Sequence, residues 1–554
     1  MSGKSYRFRW TVLTATVATA LCLVVTLAVS SPSSNVPPPP AFGPAVTAGQ
    51  TLALANMTQA DPAIPIDVYR NPAPAEQDLA TYAWLEFISA VSPVNPTLRG
   101  NSGGSFLQSG ANQTATLVWE TYQHKTELFP CNYVSGMTQP IAPQPWNNPP
   151  TYIAAIANSS GTTVGCNPIS LQNYNNLDEA TQIGQNYLFF PATLGSPQPA
   201  TDGQALFEAR ANQYEWGFVN ANYQNFQFGL NFVLPDGTVE VKAAWRPLSS
   251  IPANLQYRYH TAQVITYTGS DANPVPQVQT YALIALHIIH KSPNYPSFIF
   301  ATFEQVDNLN QQGSPTGAYY VPNYTNINYQ VPATTTFVNN QSVPNPSFNE
   351  CNGVFNPQSP FAAPNGNCTP MPVGQVSNIP GAQPVSGTTY TTVPITQPVQ
   401  PTYGVQTVNQ LALSLMQQLP GFNTNFVWQY YQLAGVQAIP TSNETSNDFY
   451  LANNVVESSQ PGIQLFRGEP HITSSGTLIN YRNLVNIADN YQGTTTYYQG
   501  GGCQGCHGVA QTQVGSGFSF LFAGSGGNGS APETVGLPPP STSAARLARR
   551  TYFK

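Results

Sequence analysis

Two cysteines separated by two residues and followed directly by a histidine, Cys503-Gln504-Gly505-Cys506-His507, form an unusual cluster in a chain otherwise poor in charge. Cys-x-x-Cys-His is the attachment signature of c-type haem. The spacing has a mechanical reason. Two thiols on one helical turn reach the two vinyl groups of a porphyrin and form thioethers, and the adjoining imidazole then meets the iron from the proximal face. Cys503 and Cys506 would carry the thioethers and His507 the proximal bond. Other uses of the cluster fit less well. A structural zinc site wants four ligands, and the sequence holds no second CxxC or HxxxH to supply them. A thioredoxin-like pair needs an αβ context that this segment lacks. A plain disulfide leaves His507 and the flanking glycines without a purpose. One covalent haem c is therefore expected.

The other side of the iron is less legible. After His507 the chain has 47 residues and contains neither Met nor His. A second axial ligand must come from upstream, or the distal position is open. His287 and His290 lie in the apolar run ALIALHIIHK. In a strand, positions three apart point to opposite faces, so at most one of the two faces a buried haem. His287, flanked by Leu286 and Ile288, is the tentative distal ligand, although core histidines of this type more often serve as hydrogen-bonded structural groups. His260, His124 and His471 sit in polar surroundings. Met416 falls beside a helical apolar stripe, where packing is the commoner role. Met57, Met137 and Met371 lie in Pro-rich or loop-like stretches. Glu304 and Asp307 follow an apolar strand and either line a pocket or cap the element. Lys242, Arg210 and Arg246 could neutralise haem propionates, but their spacing does not demand it. No G-x-S-x-G, Walker or dinucleotide-binding signature stands in a suitable context.

The elements that must position these groups read as an α+β fold: a β-rich, antiparallel core with peripheral helices, long irregular loops and a C-terminal helical haem-attachment segment. In AEQDLATYAWLEFISAVSP, Leu79, Ala83, Phe87 and Val91 recur at four-residue steps and Pro93 ends the helix. TVEVKAAWRPL follows an Asp236-Gly237 turn and places Val239, Val241, Ala243 and Trp245 on one face. QTYALIALHIIH and SFIFATFEQV read as buried strands, and TATLVWETYQ (114–123) as another. Val408, Leu411, Leu415 and Leu419 make a second helical stripe, and NFVWQYYQLAGVQ reads as its helical continuation. The segments divide as follows: 1–30 signal peptide or anchor, 31–74 Pro/Ala-rich linker, 75–310 β-rich domain, 311–405 irregular Pro/Asn/Thr-rich segment, 406–530 helical haem segment and 531–554 flexible tail.

The N-terminus sets the compartment. Lys4, Arg7 and Arg9 precede an uncharged stretch from Trp10 to Val29, and Ala28-Val29-Ser30 offers a small-x-small cleavage site. This is the pattern of an export signal. The stretch is also long enough to span a bilayer, so an uncleaved anchor is the alternative and the only expected membrane contact. A periplasmic or otherwise extracytoplasmic bacterial protein follows in both cases. Charged residues are only 7% of the chain, against about 25% in ordinary globular proteins. Without residues 1–30, 14 cations face 24 anions. No basic stripe could neutralise a phosphate backbone, so nucleic acid is not an expected partner. Of the seven cysteines, Cys131, Cys166, Cys351 and Cys368 remain for disulfides. Three connectivities are open, and Cys131–Cys166 with Cys351–Cys368 closes the shortest loops.

Five blocks together carry a resemblance: GGGCQGCHGVAQ…GFSFLF (500–522), LVNIADNYQ (484–492), ALHIIHKSPNYPSFIFATFEQVDN (285–308), TVEVKAAWRPL (238–248) and FEARANQYEWGFVNANYQ (207–224). The sequence resembles bacterial proteins described only as cytochrome c family proteins, in separated blocks over about half of the chain. The resemblance implies export and one covalent haem, and supplies no substrate. Three functions compete. Electron transfer with a redox partner protein or a small-molecule donor or acceptor implies six-coordinate, low-spin iron. A haem enzyme with an open distal site, peroxidase- or oxygenase-like, implies high-spin iron. The third is an extracytoplasmic binding or scaffold protein with an accessory haem.

Overall fold

The computed structural model describes residues 36–129, 142–147, 152–157, 163–169, 175–177, 189–191, 199–226, 232–270, 273–308, 319–322, 335–338, 341–344, 390–393, 403–441, 451, 453, 470–472, 478–480, 487–498, 502–509, 519, 521 and 522. Its internal contacts separate residues 1–37 from residues 38–554. The elements that matter for the site are, in chain order, α1 (Leu54–Thr58), α2 (Glu76–Ala90), α3 (Phe106–Ala111), β1 (Gln123–His124), α4 (Lys125–Leu128), β2 (Asn175–Asn176), β3 (Leu206–Ala211), α5 (Gln213–Phe226), β4 (Thr238–Pro247), β5 (Thr261–Ser270), β6 (Asn273–Ser292), β7 (Tyr295–Gln305), α6 (Tyr403–Met416), β8 (Tyr431–Gln437), β9 (Ile487–Tyr491), β10 (Thr494–Tyr498) and α7 (Gly502–Val509).

Antiparallel sheet with helices is the observed architecture. The central sheet runs β8–β7–β6–β4–β3–β1, with β5 also on β6 and β2 in a two-residue parallel pairing on β5. β6 is its axis. Its 20 residues pair with β5 over the first half and with β7 over the second, while β4 follows its other edge. The continuous apolar run from Tyr281 to Ile289 suits a strand covered on both faces.

Because directly paired residues share a face, the register sorts the side chains. Val241, Ile288, Ala301 and Val436 line one face; Glu240, Ile289, Phe300 and Gln437 line the other. The first face packs on α2. Phe87 of α2 stacks on Phe303 at 4.2 Å, and Trp84 meets the same ring edge-on at 5.3 Å. α2 shows the expected stripe, but α6 and α1 also pack on it, so twelve of its fifteen residues are buried. The second face receives α5 and α7.

Three expectations are corrected. Residues 38–74 are no linker: Gly43 and Val46 form bridges to Pro65 and Val68, and Val46, Leu52, Met57 and Val68 are buried. Asp67 holds the β6–β7 turn by accepting from Ser292 Oγ at 2.8 Å and Asn294 N at 2.9 Å. Most of 114–123 is loop with a short 3-10 turn (Trp119–Thr121), because Glu120 accepts from Leu117 N locally and Val94 N pairs with the Thr116 carbonyl. The second helix expected in NFVWQYYQLAGVQ is a 3-10 turn (Val427–Tyr430) followed by β8. Pairing with the exposed edge of β7 outweighs local helical preference there, and Tyr431, Leu433 and Val436 are buried as a result. Residues 206–305 and 431–437 therefore share one sheet, across the boundary drawn between the 75–310 and 406–530 segments. Within 311–405, strands Tyr319–Pro322, Thr335–Val338, Gln341–Pro344 and Tyr390–Val393 and the start of α6 are described. Residues 1–30, 531–554 and the side chains of Cys131, Cys166, Cys351 and Cys368 lie outside the described residues. Among the described residues no helix is long and apolar enough to cross a membrane.

Candidate haem-attachment site

α7 carries Cys503, Cys506 and His507 within eight residues. Gly502 opens it at φ 61°, a left-handed conformation that glycine adopts without strain. The helix docks against β7, β8 and β9. Its anchor is the residue between the cysteines. Gln504 is fully buried; its backbone N–H donates to Gln437 Oε1 at 2.7 Å, and its Nε2 donates to the carbonyls of Phe298 (3.0 Å), Ala438 (3.0 Å) and Ser297 (3.3 Å). Phe298 itself sits at φ 64°, uncommon for a residue with a side chain, and presents its carbonyl to Gln504. Gln437 is two-fold useful, since it ends β8 and lies on the same sheet face as Phe300.

Cys503 is buried and its thiol donates to the Leu451 carbonyl at 3.5 Å. The Cys506 side chain lies outside the described residues. His507 is half-buried, and its imidazole centroid is 4.7 Å from that of Phe300. Further links hold the floor of the site. Ser297 Oγ donates to Asp489 Oδ1 at 3.0 Å, and Asp489 is ion-paired with Arg70. The Arg70 guanidinium lies 4.3 Å from the Tyr491 ring centroid and donates to the Asn294 carbonyl at 2.7 Å. The segment around Arg70 thus reaches α7 through Asp489, Ser297 and Gln504.

The register sorts His287 and His290 onto opposite faces of the sheet. His287 pairs with Lys242 on β4 and Thr302 on β7, and Thr302 with Gly435 on β8. It therefore shares the α7-bearing face and is the diagonal neighbour of Phe300, a separation of about 7–8 Å between backbone positions. His290 is on the opposite face, where its Nδ1 lies 2.6 Å from Tyr82 Oη and 2.8 Å from Glu86 Oε1. His260 Nε2 is 3.1 Å from Glu120 Oε1, and His124 caps α4 by accepting from Thr126 N. Met416 and Met57 are buried in helices α6 and α1. The His471 side chain, Met137 and Met371 lie outside the described residues.

Of the three cations, Lys242 shares the α7-bearing face. Arg210 is bound to Glu208 (2.8 Å), the Tyr122 carbonyl (2.9 Å) and Asn175 (2.9 Å), and Arg246 to Ser250. Asp307 pairs with Arg258 at 2.7 Å, and Glu304 is buried in β7. A pair that the sequence did not announce is Glu215 and Glu240. Glu240 stands one row along from Lys242 and His287, opposite Ile289, and both carboxyls are buried. Burial is the main cause that lifts Glu240 to about 7, against the hydrogen bonds of Ser519 and Glu215 and the charge of Lys242. Glu215 is pushed well above the usual carboxyl range by burial, then by Glu240's charge and hydrogen bond. The pair retains a proton at neutral pH. Only the charged residues of the tertiary arrangement reveal it, because α5 and β4 are brought together by packing.

Among the described residues no group of three or more His, Cys, Asp or Glu side chains converges as a metal-ion site. Comparison of the chain with protein-family models, curated proteins and solved structures finds no match.

Proposed function

We propose that this chain is an exported monohaem c-type cytochrome acting in electron transfer. The observation that carries the reading is Cys503-Gln504-Gly505-Cys506-His507 on α7, a helix fixed to the sheet by the four hydrogen bonds of Gln504. What supports the group here is that the Cys503 thiol and the His507 ring belong to one anchored helix, with Phe300 packed against the His507 ring. A bound haem would supply a one-electron couple. The protein's part is to hold it: Cys503 and Cys506 as thioether tethers, His507 as proximal ligand, and burial and axial ligation as the means of setting the potential. A redox protein or small molecule would be donor or acceptor.

His287 is the residue we assign to the distal position. Its support is its place on the α7-bearing face, diagonal to Phe300. Lys242 beside it is suited to a propionate. Electron paramagnetic resonance of the purified protein tests both points. Low-spin iron that becomes high-spin in His287→Ala is the expected result. High-spin iron in the native protein points instead to an open distal site and an enzyme, and low-spin iron unchanged by His287→Ala removes the assignment.

A further inference from the structure

Glu215 and Glu240 are buried, hydrogen-bonded to each other, and Glu240 also accepts from Ser519. Two carboxylates offer only acceptors. Both oxygens of Glu215 and Oε1 of Glu240 meet no donor among the described residues. A proton between the carboxyls is the missing donor, and it removes the repulsion of two like charges in contact.

The sheet places this proton near the Cys-x-x-Cys-His motif. Gln123, Ala211, Glu240, Ile289, Phe300 and Gln437 form one row across β1, β3, β4, β6, β7 and β8. Gln437 accepts the Gln504 backbone N–H, and Phe300 meets the His507 ring. Phe300 stands two strand spacings from Glu240, about 10 Å. Ile289 and Phe300, both apolar and buried, fill the row between them. Charges separated by such a medium are weakly screened.

Few charged groups surround the pair. α5 carries no charged residue besides Glu215. Lys242 is the cation that acts on Glu240, and it stands opposite His287. Lys291, opposite Thr238, is paired with Asp236. Glu208 and Arg210 of β3 lie on the other face of the sheet. Among the described residues neither His287 nor His507 bonds to either carboxyl.

Building on the cytochrome reading, we propose that the Glu215–Glu240 pair is a proton site coupled to the electron held at α7. One electron arrives from the donor, one proton from solvent adds to the pair as a carboxyl O–H, and oxidation returns both. A negative charge gained at His507, roughly 10–15 Å away, raises the pair's proton affinity about tenfold at an effective dielectric of about 20. Tenfold corresponds to about 59 mV in a one-electron couple. Burial keeps the exchanging proton on Glu240 up to about pH 7, so the potential falls as pH rises through that value.

Potentiometric titration of the haem-loaded full chain between about pH 5.5 and 8.5 tests the coupling. The midpoint potential should fall by about 59 mV over the range, and Glu240→Gln, which fixes the charge, should remove at least about half of that fall. Should that buried substitution fail to fold, the native chain decides the matter alone: its reduced-minus-oxidised infrared spectrum near pH 7 should gain a carboxylic-acid carbonyl band. A potential independent of pH, a fall unchanged in folded Glu240→Gln, or no such band overturns the proposal. A chain with neither haem absorbance nor a one-electron couple overturns the cytochrome reading and this coupling with it, and the absorbance tells the two failures apart.

Discussion

Glu240 shows how one residue's surroundings become a property of the fold. Its ordinary carboxyl value is 4.5, and in the folded chain burial beside Glu215 lifts it to about 7. The native state thus binds more protons than the unfolded state between these values. The contribution is fully present below about pH 4.5 and is lost as pH rises through about 7. Denaturant unfolding at intervals from pH 5 to 8 should show stability falling with pH, and Glu240→Gln should flatten that slope. An undiminished slope in the variant would mean that the proton resides elsewhere. The register separates the histidines: His290 and His260 lie against Glu86 and Glu120, and His287 stands in the row beside Glu240.

At the scale of elements, α7 is anchored to the sheet by an amide. Gln504 fills the variable position of the Cys-x-x-Cys-His motif, and its side-chain NH2 shares its two hydrogens among three carbonyls at the ends of β7 and β8. Gln504→Ala leaves those carbonyls buried and unpaired and should destabilise the protein by about 1–3 kcal/mol. Gln504→Glu should cost more, since a carboxylate offers no donor to them; denaturation midpoints of the two variants check the order. An equal, negligible effect would show α7 to be fixed by other contacts. The helices α2 and α6 and the strands β4, β6 and β7 were legible in the sequence because their apolar periods, 3.6 and continuous or alternating, are local. β8 was not, because its strand character comes from the free edge of β7, about 130 residues earlier. The motif Cys503–His507 was readable from spacing alone. Gln504's anchoring role was not, because its partners at 297, 298, 437 and 438 are remote in sequence, and neither was the Glu215–Glu240 pair. That His287 and His290 point to opposite faces was visible in the strand parity of ALIALHIIHK, but which of the two faces carries α7 was not.

The whole molecule joins the N-terminal and C-terminal parts of 38–554 in one sheet-centred body. Residues 38–74 brace α2 and the β6–β7 turn, and Arg70 reaches Asp489 next to the haem motif. Such bracing holds α7 on the sheet, where the proposed covalent cofactor would need a fixed seat. The proposed function rests on a porphyrin joined to Cys503 and Cys506. The most direct measurement is the mass of the fully denatured polypeptide after expression together with a functional cytochrome c maturation system. A chain heavier by one haem is expected, with the addition mapped to the peptide containing residues 503–507 and lost in the Cys503→Ser, Cys506→Ser double variant. A colourless chain carrying only its polypeptide mass would contradict it.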